Sequence, residues 1–117
     1  MNNDELNLKL AKWVNLKNPH IIGDMIIFSD TINGEELNNL FTVLFTESLD
    51  SCFLYLIKKL EDKDPNLKIE FQKNGVTLFG KMSDRHELSY TIIGSGLTKT
   101  LALCDAVNNI MDEKKVS

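Results

Sequence analysis

Apolar residues recur at helical spacing in three parts of the chain, near its start, in its middle and near its end. The middle pattern is the longest, and its apolar positions lie three or four residues apart: Leu49, Cys52, Phe53, Leu56, Ile57 and Leu60. Such positions share one face of an α-helix, so they predict a central amphipathic helix between a cap at Thr46 and a stop at Asp64-Pro65. The other two patterns predict a first helix that ends at Asn18-Pro19 and a last helix that follows residues 94–100.

Four further segments have the patterns of β-strands. The apolar run Met-Ile-Ile-Phe at residues 25–28 predicts a short buried strand. Apolar and polar residues alternate over 67–72, and two more such segments follow, separated by turns at Asn74-Gly75 and at 83–86. These last three segments predict an antiparallel meander.

Residues 31–45 give two conflicting signals. Asn33-Gly34 is typical of a hairpin turn, whereas apolar residues recur at helical spacing after it: Leu37, Leu40, Phe41 and Leu44. We expect a short helix or helical turn in this segment.

The expected element order is therefore α-β-(α)-α-β-β-β-α. This order predicts an α+β fold in which helices pack on an antiparallel sheet, as in an α/β/α-type sandwich. A chain of 117 residues is long enough for one hydrophobic core, so we expect a single domain over 1–117, with about the last five residues frayed.

Composition narrows the classes of partner. The net charge is −4, whereas nucleic-acid-binding proteins usually carry a basic excess, so nucleic acid is not expected as a partner. No apolar run approaches the ~18–20 residues that span a bilayer, and the opening MNNDELNLKL lacks the basic start of a signal peptide. We therefore expect no membrane association, and we expect Cys52 and Cys104 to be buried thiols of a reducing compartment.

The stretch GSGLTKT at residues 94–100 is the best candidate for a ligand contact. It is not the phosphate-binding loop G-x-x-x-x-G-K-[ST], because aligning Lys99-Thr100 with the Lys-[ST] pair puts Ile93 and Thr98 at the glycine positions. One interpretation is an ordinary strand-to-helix turn capped by Ser95 or Thr98. The other is a phosphate contact made by the backbone N–H groups at the helix start together with Lys99.

The turn before the third meander strand offers a second basic group. Arg85 is the only arginine in the chain, and it lies beside His86. Its guanidinium is able to clamp a phosphate or carboxylate with two hydrogen bonds. The predicted ligand-binding residues are accordingly Arg85, His86, Ser95, Thr98 and Lys99.

No catalytic or metal-binding motif accompanies these residues. The chain has two histidines, and it contains no H-E-x-x-H, C-x-x-C or G-x-S-x-G sequence. We therefore expect no catalytic residue, no metal and no cofactor, and a protein that acts by binding.

The C-terminal half has the element order α-β-β-β-α, which resembles that of double-stranded-RNA-binding domains. In those domains a Lys-Lys pair opens the last helix over the phosphates. Here only Lys99 stands at that place and is followed by Leu101, Ala102 and Leu103, so the similarity is one of topology.

A second resemblance covers most of the chain. NDELNLKLAKWVNL, FTESLDSCFLYLIKKL and TLALCDAVNNIM are similar to the opening, central and closing helices of the small phage ABA-sandwich domain family. The matched residues are cap and core positions: Phe45, Thr46, Leu101, Ala102, Leu103 and Cys104. The resemblance implies phage or prophage origin, a place in the cytoplasm of the host bacterium, and a non-enzymatic role.

Some small phage proteins of this architecture are similar to anti-Thoeris sponges, which sequester a cyclic ADP-ribose signal of bacterial immunity. We therefore expect a counter-defence protein that captures a small nucleotide-derived ligand, as a homodimer or higher homo-oligomer. A phage protein that binds and inhibits a host protein is the alternative, and a small RNA-binding module is the third possibility.

Overall fold

Two three-stranded antiparallel sheets organise the fold. The structure is a computed structural model that describes residues 2–82 and 88–116. Helix α1 comes first and is followed by the strands of the first sheet, sheet A: α1 (Asn3–Trp13), β1 (Lys17–Ile22), β2 (Met25–Ile32) and β3 (Glu35–Val43). A 3-10 turn (Phe45–Glu47) leads into the central helix, and three more strands form sheet B before the last helix: β4 (Lys68–Gln72), β5 (Gly75–Met82), β6 (Leu88–Ser95) and α4 (Lys99–Val116).

The central helix consists of three continuous parts. An α-helical turn, α2 (Leu49–Ser51), runs into a π-helical segment, π1 (Cys52–Ile57), and then into α3 (Lys58–Lys63). The predicted cap at Thr46 is wrong, because the Ser48 hydroxyl caps the start of the helix by accepting a hydrogen bond from the Ser51 N–H over 3.1 Å. The chain is thus two helix-plus-meander units followed by α4, and the expected α+β class is confirmed.

The short helix expected within residues 31–45 is wrong, because strand β3 occupies most of this segment. Asn33 and Gly34 have φ angles of 53° and 82°, which suit a tight hairpin turn, and Ile32 pairs with Glu35 across it. A β-bulge explains the helical spacing, since Leu37 pairs with Asp30 and Leu40 with Phe28. Two leucines three residues apart therefore share one face of a strand.

Strand β1 was not predicted, and the predicted end of the first helix at Asn18-Pro19 is wrong, because α1 ends at Trp13. It contains Pro19, and its pairing with β2 is irregular between Lys17 and His20. Asn18 there has a φ of 50°. Proline is tolerated in an edge strand, which is the position β1 has in sheet A.

The core lies where the helices meet one face of each sheet. Helix α1 packs on β1 and β2, and α4 packs on β5 and β6 while it also contacts α1, the 3-10 turn and π1. The buried Asn7 of α1 joins two of these elements, since its Nδ2 donates to Thr46 Oγ1 over 2.9 Å and its Oδ1 accepts from the Thr46 N–H over 3.2 Å. A buried polar side chain whose groups are bonded in this way fixes the position of α1 on the turn.

The apolar face predicted for the central helix is largely confirmed. Cys52, Leu56, Ile57 and Leu60 are buried, but Phe53 is 40 % exposed rather than part of the core. The π-helical hydrogen bonding of π1 takes more residues per turn than an α-helix does, so α-helical spacing does not hold through this segment. The neighbouring Leu54 is also exposed.

The two cysteines are free, buried and in contact, as expected for thiols of the core. Their sulfur atoms are 3.6 Å apart, and the Cys52 thiol donates to the Phe45 carbonyl oxygen over 3.1 Å. The hydrogen bond with Cys52, followed by burial, raises the pKa of Cys104, so this group stays a neutral thiol. Among the described residues, no helix is both long and apolar enough to span a bilayer.

Leu56→Asp is expected to lower the free energy of unfolding by about 4 kcal/mol or more, because it buries an unpaired charge in the core. Leu54→Asp on the exposed side of the same segment is the matched control, and it should change stability by no more than about 0.5 kcal/mol. Urea unfolding of the two variants checks both values. Equal stabilities would contradict the packing described for the central helix.

Candidate functional site

In the turn at residues 94–100, close packing between β6 and α4 requires a glycine at position 94. A Cβ atom at Gly94 would overlap the Ala102 carbonyl oxygen and the Ala106 amide nitrogen. A Cβ atom at Gly96 would lie 2.8 Å from the Leu101 Cβ atom. Both glycines therefore stand where backbone and helix approach too closely for a side chain.

The polar groups of this turn bond within the chain. The Ser95 N–H donates to Asp105 Oδ2 over 2.9 Å, and Thr98 Oγ1 accepts from the Leu101 N–H over 3.1 Å. Thr98 is thus the helix cap, which was one of the two residues expected in that role. The Asp105 carboxylate already occupies the Ser95 N–H and brings a negative charge to the turn, so it opposes the binding of an anion there.

The structure places three of the five predicted ligand-binding residues on this turn. Ser95, Thr98 and Lys99 are exposed, and the Lys99 Nζ lies 5.9 Å from the centre of the Phe71 ring. Arg85 and His86 lie outside the described residues. Contact between these residues and a phosphate stays a prediction.

A groove of about 330 Å³ opens at a different place, between sheet A and the central helix. We call it the Tyr55 groove. Strands β2 and β3 supply most of its lining, and π1 supplies Tyr55; the lining residues are Phe28, Asp30, Ile32, Asn39, Leu40, Phe41 and Tyr55.

Local structure brings these side chains together. Alternation along β2 puts Phe28, Asp30 and Ile32 on one face of the strand. The bulge in β3 places Asn39, with a φ of 62°, beside Leu40 at the same end of the sheet. A bulge next to a groove is a common way to direct a side chain toward a site.

The Tyr55 ring is held by two edge-to-face contacts. Its centre lies 6.4 Å from that of Phe28 and 6.0 Å from that of Phe45, with interplanar angles of 84° and 78°. Such contacts fix the plane of a ring within a groove. Tyr55 belongs to π1, and π-helical segments occur frequently at functional sites.

The electrostatics of the groove keep Tyr55 protonated. Burial, and then the nearby Asp30 carboxylate, raise the pKa of Tyr55 above its ordinary value of about 10. The phenol is therefore a hydrogen-bond donor at neutral pH, and its hydroxyl has no hydrogen-bond partner in the part of the chain that the structure describes. Asp30 accepts one bond, from the Thr31 N–H over 2.8 Å.

The groove thus combines a phenol, a carboxylate and an amide with apolar and aromatic walls. This set is suited to a flat ring bearing hydroxyl or amino groups, since the carboxylate accepts from such groups and the phenol donates to an acceptor. Within residues 2–82 and 88–116, no group of three His, Cys, Asp or Glu side chains is arranged to hold a metal ion.

Comparison with known proteins adds no information about the function of the chain. No protein-family model, no curated protein and no solved structure matches the chain. The geometry of the two candidate sites is therefore the basis for a functional proposal.

Gly94→Ala is expected to cost about 3 kcal/mol, the upper part of the range for overpacking, because the new methyl group meets the backbone of α4. Ser95→Ala is the control, since the bond of Ser95 to Asp105 uses its backbone N–H and its side chain is exposed. Thermal and urea unfolding measure both. A Gly94→Ala variant as stable as Ser95→Ala would refute the close approach.

Proposed function

We propose that this protein captures a small nucleoside- or nucleotide-derived molecule in the Tyr55 groove and holds it without chemical conversion. The observation that carries the proposal is the convergence of Tyr55, Asp30 and Asn39 at an apolar, aromatic-walled groove. Its volume of about 330 Å³ is at the small end of the range of ligand sites. One base with its ribose is a suitable occupant for a groove of this size.

Each part of such a ligand has a counterpart in the groove. The base lies against the apolar wall of Phe28 and Leu40, near the edge of the Tyr55 ring. Ribose hydroxyls or an exocyclic amine donate to Asp30, and a ring nitrogen or carbonyl accepts from the Tyr55 hydroxyl. The Asp30 charge repels phosphate, so the phosphates of a nucleotide extend out of the groove.

The wider role follows from the sequence resemblance to phage ABA-sandwich domains. The captured molecule is then an immune signal similar to cyclic ADP-ribose, and the protein acts as a counter-defence sponge in the cytoplasm of an infected bacterium. A sponge works by mass action, so tight binding and abundance replace catalysis. A homodimer belongs to the same proposal.

Inhibition of a host protein is the second candidate function. The observation that favours it is the exposure of Phe53 and Leu54 on the outward side of the central helix, where two large apolar side chains are available to a partner. A single host protein co-purifying with the chain, with loss of that partner in Leu54→Asp, would favour this function over ligand capture.

Isothermal titration with adenosine and with cyclic ADP-ribose tests ligand capture. Both probes are expected to bind, and Tyr55→Phe should weaken binding about 3- to 10-fold through the loss of one neutral hydrogen bond. Asp30→Asn should weaken it about 10- to 100-fold, because bonds to a charged group are stronger. Release of the probe from heat-denatured protein, followed by mass spectrometry, should return it unchanged.

Lys99→Ala is the control that separates the two candidate sites. Binding that is insensitive to Lys99→Ala but sensitive to Asp30→Asn places the ligand in the Tyr55 groove. The reverse pattern would move the site to residues 94–100 and refute the groove. If neither probe binds the wild-type protein, the proposed function is wrong for this class of ligand.

A further inference from the structure

Sheet A has one face against the helices and one face that no other part of residues 2–82 and 88–116 covers. The uncovered face carries two rows of side chains across its three strands, as the strand register shows. The rows are Ile22–Met25–Val43 and His20–Ile27–Phe41, and we call these residues the outer patch. Neighbouring residues on the other face are buried: Ile26, Phe28 and Thr42.

The outer patch is unusually apolar for a solvent-facing sheet. Phe41 is 65 % exposed, Ile22 is 61 % exposed and Val43 is 44 % exposed. Sheet B gives the internal comparison, because its corresponding rows are Glu70–Thr77–Ile93 and Lys68–Phe79–Thr91. Antiparallel sheets with one solvated face normally alternate apolar and polar residues, as sheet B does and sheet A does not.

The lack of charged side chains in the outer patch favours a second copy of the chain as its partner. The chain carries a net charge of −4, so two copies repel each other over most of their surfaces. Apart from His20, the outer patch contains no acidic or basic side chain. Two copies that meet at this patch place no like charges opposite each other, whereas a strongly charged partner would find no complement there.

We propose that the outer patch is a self-association surface, on which a second copy of this chain packs sheet against sheet about a two-fold axis. Two such faces pack about 10 Å apart, and a two-fold interface uses the same patch on both copies. Lys17 pairs with Ser29 in the next row of the sheet, and these polar residues form part of the rim around the apolar centre. It gives a surface to the homodimer named with the proposed function, but it rests on the outer face of sheet A and not on ligand capture.

The small size of the surface favours a weak, transient dimer. Two rows of three residues cover less than the roughly 800 Å² per partner of a standard stable interface. We therefore expect a weak dimer, with a dissociation constant no lower than about 1 µM, the weak end of the range for standard-size interfaces. Monomer and dimer exchange over the concentrations used in solution experiments.

Sedimentation equilibrium from roughly 1 µM to roughly 1 mM tests the proposal, since a weak dimer dissociates within this span. The wild-type chain should change from monomer to dimer, and Ile22→Lys and Val43→Lys should each raise the dissociation constant at least about tenfold by opposing two ammonium groups. Ile93→Lys is the matched control, since Ile93 has the same side chain and is 65 % exposed, but lies on the outer face of sheet B. It should dimerise like the wild type.

Thermal melts of all three variants keep the test interpretable, because each substituted residue is exposed and the fold should survive. A monomeric wild-type protein at every concentration would overturn the proposal and leave the patch to a different protein. A dimer that Ile93→Lys disrupts and Ile22→Lys does not would place the interface on sheet B instead. Titration of the same samples with adenosine reports the Tyr55 groove separately.

Discussion

The contact between α4 and Gly94 is the constraint on which the rest of the structure depends. Because Gly94 has no side chain, the backbone of α4 at Ala102 and Ala106 lies directly against β6. This approach sets the depth at which α4 sits on sheet B. From that depth, α4 reaches α1, the 3-10 turn and π1, so it joins both helix-plus-meander units in one core.

A buried polar contact fixes the position of α1 in the same core. Asn7 bonds to the backbone and side chain of Thr46, which fixes α1 on the turn that precedes the central helix. Apolar packing alone would permit α1 to slide or rotate on the turn. A buried amide with defined partners permits one position, since any other leaves its groups without hydrogen bonds.

Periodicity in the sequence predicted the helices and sheet B, because their apolar spacing matches regular geometry. Sheet A was predicted only in part, for two physical reasons. First, a bulge in β3 puts Leu37 and Leu40 on one face of a strand, so their spacing is the same as in a helix. Second, Pro19 was interpreted as the end of a helix, whereas it lies in an edge strand. The pair Asn33-Gly34 was the local signal that could have favoured the hairpin.

The two candidate sites also differ in how far the sequence alone could predict them. Residues 94–100 are contiguous, so their turn and the cap at Thr98 could be predicted from local chemistry. The Tyr55 groove joins β2, β3 and π1, and its Asp30 and Tyr55 come together only in the tertiary structure. No motif spacing in the sequence encodes that arrangement.

Phe41 has a consequence of its own, because it belongs both to the lining of the Tyr55 groove and to the outer patch. If the groove captures a ligand and the outer patch dimerises as proposed, a bound ligand would restrict the strand at Phe41 and so reduce the entropy cost of docking a second copy. Thermodynamic linkage makes such an effect reciprocal, so dimerisation would then raise ligand affinity by the same factor as the ligand favours dimerisation. Under both proposals, the strength of ligand capture would rise with the concentration of the protein itself.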